Sequence, residues 1–293
     1  MEQVQEALLE KVIKQIEHLP TLPQVVTKVL AMTDSAHISA VELSKEMDQT
    51  LSAKVLKMAN SAYYGGRTAR KVNTVHHAIV IIGLDALKEI ILTTSLLHTF
   101  RDSKEIESLQ PLWQHSLECG LAAKRLAWVV RFEAMDEAYL VGLIHDIGRL
   151  IIQQYFPDQF ALLKRRTNGI TEEIGLEREI FGMTHAEIGA RVAEQWNFPE
   201  NLIEAIAQHH DGEWRLNPKL GRILFYADQF VLGEVDFQKM LDLFREAGMN
   251  YPPNWKDEEL KKAEDLLQEE VRHPPRSGWL DEWGCLKGSW PHY

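Results

Sequence analysis

The stretch that decides the fold of this chain places one histidine and one aspartate among apolar residues. It reads Leu140-Val141-Gly142-Leu143-Ile144-His145-Asp146-Ile147-Gly148-Arg149-Leu150. The apolar spacing predicts one helix that is apolar around most of its circumference, which is typical of a central helix. A carboxylate on such a helix needs a cation or hydrogen-bond donors, because a buried unpaired charge is costly.

The rest of the chain has the same periodicity. Apolar residues recur at i, i+3, i+4 and i+7, and alternation over the length of a strand is hard to find. The sequence therefore predicts an all-α fold. One helix is predicted to stop at residues 60–66, and a second long helix to run from about Thr74 to Leu97. We predict an N-terminal helical bundle over residues 1–105, a histidine-bearing helical domain over 106–235, and a C-terminal helix with a Trp-rich tail over 236–293.

The composition narrows the classes of function. The 293 residues include 43 acidic and 32 basic side chains, a formal net charge of −11. This balance argues against nucleic acid and anionic membranes as partners. The apolar stretch from Ala78 to Leu97 is interrupted by charges before it reaches the ~20 apolar residues of a membrane span. With two distant cysteines, no CxxC pair and no signal-peptide pattern at the start, the sequence favours a cytoplasmic location.

Asp146 has two candidate partners. Arg149 lies three residues further along, so an i,i+3 ion pair would account for both charges. The other candidate is a metal ion. Gly142 lies one turn earlier, and its missing side chain is predicted to leave room for an ion. Asp228 needs a cation as well, because its neighbours one turn away are all apolar. They are Leu224, Phe225, Val231 and Leu232.

Five histidines accompany these two carboxylates. They are His115, His145, His185, His209 and His210. His115 shares a predicted helical face with apolar residues, as a core histidine would too. His185 follows a capping Thr184, at a helix start where the dipole disfavours a protonated ring. His209 and His210 close a helix, where they could converge on an ion beside its end or interact with the helix dipole as partly positive rings.

Together these side chains form a nitrogen and carboxylate donor set, with no cysteine among the expected ligands. This set suits one or two transition-metal ions, namely iron, manganese, zinc, nickel or cobalt. Seven candidate ligands are more than one ion uses, so we expect a two-metal site bridged by Asp146. Such sites typically polarise a phosphate ester and activate water.

The order His115, then His145-Asp146, then Asp228 resembles the metal-binding pattern of HD-superfamily phosphohydrolases. His185, His209 and His210 are similar to the additional histidines of HD-GYP cyclic dinucleotide phosphodiesterases, which hold more than one metal.

The first half of the chain resembles HDOD domains, the output-type relatives found in bacterial signalling. The resemblance lies in Leu19-Pro20-Thr21-Leu22-Pro23, in residues 51–65 and in residues 78–84. It covers about residues 10–235. It implies an N-terminal helical bundle packed on an HD-type helical metal-binding domain, which transmits signals through contacts with signalling proteins.

The alternative function is a metal-dependent phosphohydrolase that acts on a nucleotide, a cyclic dinucleotide or a small phosphate ester. Its catalytic residues would be Asp146, which holds the metals, and Arg149, which steadies the phosphate. The resemblance departs from HD-GYP enzymes twice: Arg149 replaces a lysine, and Asp211-Gly212-Glu213-Trp214 follows His210 where a Gly-Tyr-Pro motif would stand. The missing motif favours signalling, and the complete ligand set favours the enzyme.

Overall fold

The structure is a computed structural model that describes residues 2–19, 26, 28, 47, 49–60, 72–99, 109–166, 170–211, 214–252 and 255–272. The regular secondary structure in these ranges is helical, which confirms the all-α prediction. Among the described residues, no helix has both the length and the apolar character needed to span a membrane. The Trp-rich tail and residues 61–66 of the predicted helix stop lie outside the described residues.

The chain forms two compact units. One unit joins the N-terminal helix to Pro111–Arg272, and the other contains the described residues between Leu22 and Gln110. The division at 1–105, 106–235 and 236–293 stays a prediction. The compact units differ from it, because the first helix and the helices up to residue 272 group with the histidine-bearing helices.

The first helix of the chain is α1 (Glu2–Glu17). The smaller unit contains α2 (Gln49–Ala59), α3 (Val75–Ile82) and α4 (Leu84–Thr99). The larger unit continues with α5 (Gln110–Val129), α6 (Met135–Ile144), α7 (Ile147–Tyr155), α8 (Pro157–Arg166), α9 (Ile170–Phe181), α10 (His185–Gln195), α11 (Glu200–Ala207), α12 (Pro218–Val231), α13 (Phe237–Glu246) and α14 (Asp257–Arg272).

The smaller unit corrects one boundary. Helix α2 ends at Ala59, and the Asn60 side chain donates hydrogen bonds to the carbonyl oxygens of Leu56 at 2.7 Å and Val72 at 2.9 Å. The single helix predicted from Thr74 to Leu97 is wrong, because the chain breaks at Gly83. The φ angle of Gly83 is +86°, a conformation that glycine adopts without a steric penalty and that ends α3.

The stretch from Leu140 to Leu150 is also two helices rather than the predicted one. Helix α6 ends at Ile144, and α7 begins at Ile147. His145 and Asp146 form the link between them, and Asp146 has φ −94° and ψ 15°, outside helical geometry. The break lies at His145 and Asp146, so these two polar residues belong to neither helix.

Two glycines set the helix packing around this link. A Cβ on Gly142 would lie 2.6 Å from the carbonyl oxygen of Cys119 on α5, and a Cβ on Gly148 would collide with the carbonyl oxygen of His185 on α10. The interpretation of Gly142 as space for an ion is therefore wrong. Its missing side chain is filled by the backbone of α5, which brings that helix against α6.

Candidate metal centre

The structure brings all seven predicted site residues together within the larger unit. His115 lies on α5, His145 and Asp146 form the link between α6 and α7, and Asp228 lies on α12. His185 is the first residue of α10, where Thr184 and Glu187 form the predicted capping box. His209 and His210 follow the end of α11, as predicted. Five segments, far apart in sequence, therefore meet at one place.

Four of the residues that meet here form what we call the Cys119 group. They are His115, Cys119, His145 and Asp228, and each offers one donor atom within 4.8 Å of the others. The Nε2 atoms of His115 and His145 lie 3.1 Å and 3.8 Å from Oδ1 of Asp228. Sγ of Cys119 lies 3.5 Å from His115 Nε2. The group holds two imidazoles, one carboxylate and, against expectation, one thiol.

The His185 group contains the other candidate ligands. They are Asp146, His185, His209 and His210, again with donor atoms within 4.8 Å of one another. The Nε2 atoms of His185 and His210 are 2.9 Å apart. Oδ1 of Asp146 lies 3.4 Å from His185 Nε2 and 3.7 Å from His209 Nε2. This group combines three imidazoles with one carboxylate.

Asp146 lies between the two groups. Its Oδ1 atom faces the His185 group, whereas its Oδ2 atom lies 3.8 Å from His115 Nε2 and 3.7 Å from His145 Nε2. The carboxylate is nearly completely buried. One oxygen toward each group is the arrangement that a carboxylate bridging two cations requires.

The buried imidazoles are oriented through their second nitrogen. Nδ1 of His145 donates to the carbonyl oxygen of Gly142 at 2.8 Å, and Nδ1 of His209 donates to that of Ile206 at 2.6 Å. A proton on Nδ1 leaves Nε2 as the free acceptor of a neutral ring. This tautomer suits metal binding, because the ligating nitrogen must carry a lone pair.

His185 is oriented by a side chain instead. Its Nδ1 atom lies 2.8 Å from Oε2 of Glu177, and its backbone N–H donates to the same oxygen at 2.8 Å. Glu177 is on α9 and is fully buried. A carboxylate behind a histidine fixes the ring and increases its basicity as a ligand.

Arg149 forms ion pairs with two carboxylates. Its guanidinium lies 3.5 Å from Oδ2 of Asp146, so the i,i+3 ion pair considered above is present. The shorter contact, 2.8 Å, joins it to Oε1 of the buried Glu173 on α9. Arg149 therefore offsets only part of the negative charge on Asp146, and part of its own charge is neutralised by Glu173.

The electrostatics favour neutral imidazoles and ionised aspartates. Burial lowers the pKa of His145 to about 4 and that of His210 to about 2, and it lowers the pKa of His185 well below its ordinary value. Burial alone would raise the pKa of Asp146, but the Arg149 guanidinium and the surrounding histidines outweigh burial and hold it well below its usual range. These three rings and Asp146 are therefore in the protonation states that a metal ion needs.

His115 behaves differently from the other rings. Burial acts to lower its pKa, but the hydrogen bond to Asp228 and the charges of Asp146 and Asp228 raise it above the ordinary value. The same contacts lower the pKa of Asp228 to about 2 against the effect of burial. His115 and Asp228 thus form a charge-assisted pair in the metal-free protein.

The donor set fits a metal ion. Nε2 of His209 is buried without a hydrogen-bond partner and lies 3.7 Å from Oδ1 of Asp146. A buried polar atom without a partner is costly unless it binds something that the protein itself does not supply. A cation in the His185 group would satisfy this nitrogen and Oδ1 of Asp146, and a cation in the Cys119 group would satisfy Asp228.

Sequence reasoning missed three residues of this site. Cys119 lies one helical turn from His115, so its position was visible, but the sequence offered no reason to count the thiol as a donor. Glu173 and Glu177, four residues apart on α9, reach the site from a helix without any predicted site residue. No sequence pattern connects them with Arg149 or His185, because that contact depends on how α9 packs.

The segment after His210 is held against its own domain. The Glu204 carboxylate accepts hydrogen bonds from the backbone N–H groups of Arg215 at 2.9 Å and Leu216 at 2.7 Å. The Trp214 ring lies where a Cβ on Gly221 of α12 would stand. Residues 212 and 213 lie outside the described residues, but the chain on both sides of them is packed on α11 and α12.

This fold and site define a class of helical proteins with a buried histidine and aspartate cluster. Residues 19–212 match the HDOD domain family, so the chain belongs to this family.

Solved structures with the same fold cover nearly the whole chain. An HDOD domain protein of unknown function from Geobacter sulfurreducens has a TM-score of 0.73 and 22% identity, and the match covers 96% of this chain and 98% of that one. An inferred phosphohydrolase from Shewanella amazonensis SB2B has a TM-score of 0.68 and 21% identity, with 94% and 97% covered. An inferred signal transduction protein from Marinobacter aquaeolei VT8 has a TM-score of 0.65 and 19% identity, with 98% and 66% covered.

One curated relative is an uncharacterised protein of Treponema pallidum (strain Nichols). It is 25% identical over 203 residues, which cover 67% of this chain. The match spans only 39% of the length of that relative.

Proposed function

We propose that this HDOD protein is a signalling protein whose histidine and aspartate cluster holds two transition-metal ions. The observation that carries the proposal is the position of Asp146, with one oxygen toward each group of donors. The candidate metals are iron, manganese, zinc, nickel and cobalt, because the donors are mostly imidazole nitrogen and carboxylate oxygen.

In this proposal the Cys119 group and the His185 group each hold one ion, and Asp146 contacts both. When bound, such a pair of ions can polarise a phosphate ester and activate water. The protein contributes the rest: backbone carbonyls and Glu177 keep Nε2 of the buried rings turned inward, and Arg149 limits the charge on Asp146.

The signalling part of the proposal rests on membership of the HDOD family and on two features of the site. Arg149, the candidate phosphate-binding residue, is already engaged by Asp146 and Glu173. The segment after His210 lacks the Gly-Tyr-Pro motif and is held by Glu204. Both features favour a protein that acts through contacts with signalling partners, and the solved structure of an inferred signal transduction protein agrees with this.

The first experiment is metal analysis of the full chain grown with abundant metal. We expect two transition-metal ions per chain, loss of the ion of the Cys119 group in His145→Ala, and loss of both ions in Asp146→Ala. Metal-free and well-folded wild-type protein would reject the proposed metal centre. The same samples serve for an assay with cyclic di-GMP, in which we expect little or no hydrolysis.

The second candidate function is a metal-dependent phosphohydrolase. It is favoured by the complete ligand set and agrees with the solved structure of the inferred phosphohydrolase. A panel of nucleotides and small phosphate esters separates the two candidates. If a substrate is turned over in a metal-dependent reaction that disappears in Asp146→Asn, the main function is catalysis and not signalling through protein contacts.

A further inference from the structure

Cys119 is the one thiol among the described donors, and it has no access to solvent. It lies one helical turn after His115 on α5, so the two side chains project from the same face of the helix. Its Sγ atom is 3.5 Å from His115 Nε2 and 3.8 Å from Asp228 Oδ1. Each of these partners belongs to the same group of candidate ligands.

The distances between these donor atoms agree with tetrahedral coordination of one ion. Zinc lies about 2.3 Å from a sulfur ligand and about 2.1 Å from a nitrogen or oxygen ligand. In a tetrahedral site these bond lengths place the sulfur about 3.6 Å from each nitrogen or oxygen ligand, and place the nitrogen and oxygen ligands about 3.4 Å from one another. The corresponding distances here are 3.5 Å and 3.8 Å from sulfur, and 3.1 Å and 3.8 Å from Asp228 to the two histidines. These four distances agree with ligation of one ion, and all four donor atoms lie within 4.8 Å of one another.

A second observation indicates that the cluster needs a cation. The ring of His209 lies 5.1 Å from that of His145, centroid to centroid, and its buried Nε2 has no hydrogen-bond partner. Two buried aspartates, Asp146 and Asp228, lie in the same cluster, and Arg149, which contacts Asp146, is shared with Glu173.

We propose that the Cys119 thiolate is a ligand of the metal ion held by His115, His145 and Asp228. This inference rests on the proposed metal centre and makes its two positions chemically different. Binding of the divalent ion forms the metal–sulfur bond and releases the thiol proton to solvent, without any change of oxidation state. The sulfur ligand favours zinc, cobalt or ferrous iron over manganese or magnesium at this position, whereas the His185 group contains only nitrogen and oxygen donors.

The competing explanation is that Cys119 remains a thiol of the protein core. In that case its S–H group donates weakly to Asp228, and the metal position uses only the two histidines and the aspartate. Both explanations are compatible with the position of the thiol, so a measurement must report on the metal–sulfur bond itself.

The test is titration of the metal-stripped full chain with Co²⁺, followed by absorption spectroscopy. A cobalt–thiolate bond gives an intense near-ultraviolet charge-transfer band, and cobalt bound to any donors gives visible d–d bands. The variants are Cys119→Ser and, as the matched control, Cys285→Ser, which removes the only other cysteine of the chain. We expect the near-ultraviolet band to reach its full height with one equivalent in wild type and in Cys285→Ser, and to be absent in Cys119→Ser.

The outcomes separate the inference from the function on which it rests. Visible d–d bands without the near-ultraviolet band in wild type, or a band that persists in Cys119→Ser, would overturn the Cys119 ligand and leave the metal centre intact. Absence of all cobalt bands would overturn both. If Cys119→Ser does not fold, Cys285→Ser decides alone, because Cys119 is then the only thiol available.

One equivalent of Zn²⁺ provides the second readout. It should remove the near-ultraviolet band by displacing cobalt from the Cys119 group, whereas one equivalent of Mn²⁺ should leave the band unchanged. Equal displacement by Zn²⁺ and Mn²⁺ would contradict a sulfur ligand, because manganese binds thiolate weakly.

Discussion

The two halves of the metal centre differ in how they balance charge. The Cys119 group contains the Asp228 carboxylate and a thiol 3.8 Å from it, and the charges of Asp228 and Asp146 raise the pKa of His115 there. The His185 group collects three imidazoles around one oxygen of Asp146, and burial lowers the pKa of His210 to about 2. In the metal-free protein a proton on His115 offsets part of the carboxylate charge in the first group, whereas burial keeps the rings of His185 and His210 neutral in the second.

This difference has a structural origin. In the Cys119 group, the buried ring of His145 is oriented by a backbone carbonyl oxygen, while His115 is paired with Asp228. In the His185 group, His185 is held by the buried carboxylate of Glu177. Both halves orient one ring through a backbone carbonyl oxygen, His145 in the first and His209 in the second, but the His185 group adds a buried carboxylate from α9, a helix without a candidate ligand. Each half should respond to its own set of substitutions.

The largest effect is expected from the carboxylate that the two halves share. Asp146→Ala should reduce metal content from two ions toward none, because both groups lose a ligand. Asp228→Ala should remove only the ion of the Cys119 group. Each ion lost should also lower the free energy of unfolding, by about 2.7 kcal/mol when free metal is at 100 times its Kd.

Elemental analysis and thermal unfolding of both variants test this prediction. Equal metal loss in Asp146→Ala and Asp228→Ala would contradict a shared bridging carboxylate. Retention of one ion in Asp146→Ala would show that the two groups bind independently.

The next largest effect is expected from substitutions that disturb the helix packing of one group at a time. Gly142→Ala should force α5 from α6 and weaken the Cys119 group, while Gly148→Ala should force α7 from α10 and weaken the His185 group. Each added methyl group meets backbone rather than a movable side chain, so each should cost about 1–3 kcal/mol of unfolding free energy.

The control for these variants is Gly175→Ala on α9. Nothing lies within 4 Å of a Cβ at this position, and the helix contains it in its interior. This substitution should be neutral or stabilise the protein by up to ~1 kcal/mol. Chemical denaturation measures all three variants, and destabilisation by Gly175→Ala equal to that by Gly148→Ala would contradict the packing argument.

The sequence predicted the helical class and the seven residues that meet, because both follow from apolar spacing and from polar residues placed among apolar ones. It did not predict the break at His145-Asp146, since hydrophobic periodicity continues across it. It also misinterpreted Gly142, because a missing side chain in a sequence does not indicate whether an ion or a backbone fills the space. That distinction requires the position of Cys119 on α5.

The residues that contact the candidate ligands from α9 could not be predicted from the sequence, for a related reason. Glu177 and His185 are eight residues apart and belong to different helices, so no helical spacing connects them. Their contact depends on the turn between α9 and α10. Arg149 was correctly paired with Asp146, but its closer partner, Glu173, required the packing of α9 against the site.

A smaller effect is expected from Glu177→Gln. The amide can still contact His185, but it lacks the charge that increases the basicity of the ring. Loss of such a partner typically lowers metal affinity 10–100-fold, and here the loss should be confined to the His185 group. Glu173→Gln on the same helix is the matched control, because Glu173 contacts Arg149 and not a histidine. Competition with a chelator measures the metal affinity of both variants. An equal loss of affinity in the Cys119 group and the His185 group of Glu177→Gln would contradict the assignment of Glu177 to the His185 group.

The smallest effect is a difference in pH dependence. Below the raised pKa of His115 a metal ion must displace its proton, so the affinity of the Cys119 group should fall up to about tenfold per pH unit from this proton alone. The rings of His185 and His210 are already neutral near neutral pH, so the response of the His185 group there should come mainly from Glu177, whose pKa burial raises to about 7.

The metal-free protein should show the opposite trend. Because its pKa is raised in the folded state, protonated His115 stabilises the native chain below the ordinary histidine pKa of about 6.5, and this contribution disappears as pH rises through the folded value. Zinc titrations of Asp228→Ala with Glu177→Gln, which keeps the His185 group without the titrating Glu177, and of His210→Ala, which keeps the Cys119 group, compare the two positions between about pH 6 and pH 8. Identical pH slopes would mean that the charge of the two carboxylates does not act on His115, and the contrast between the two halves would then be one of ligand type alone.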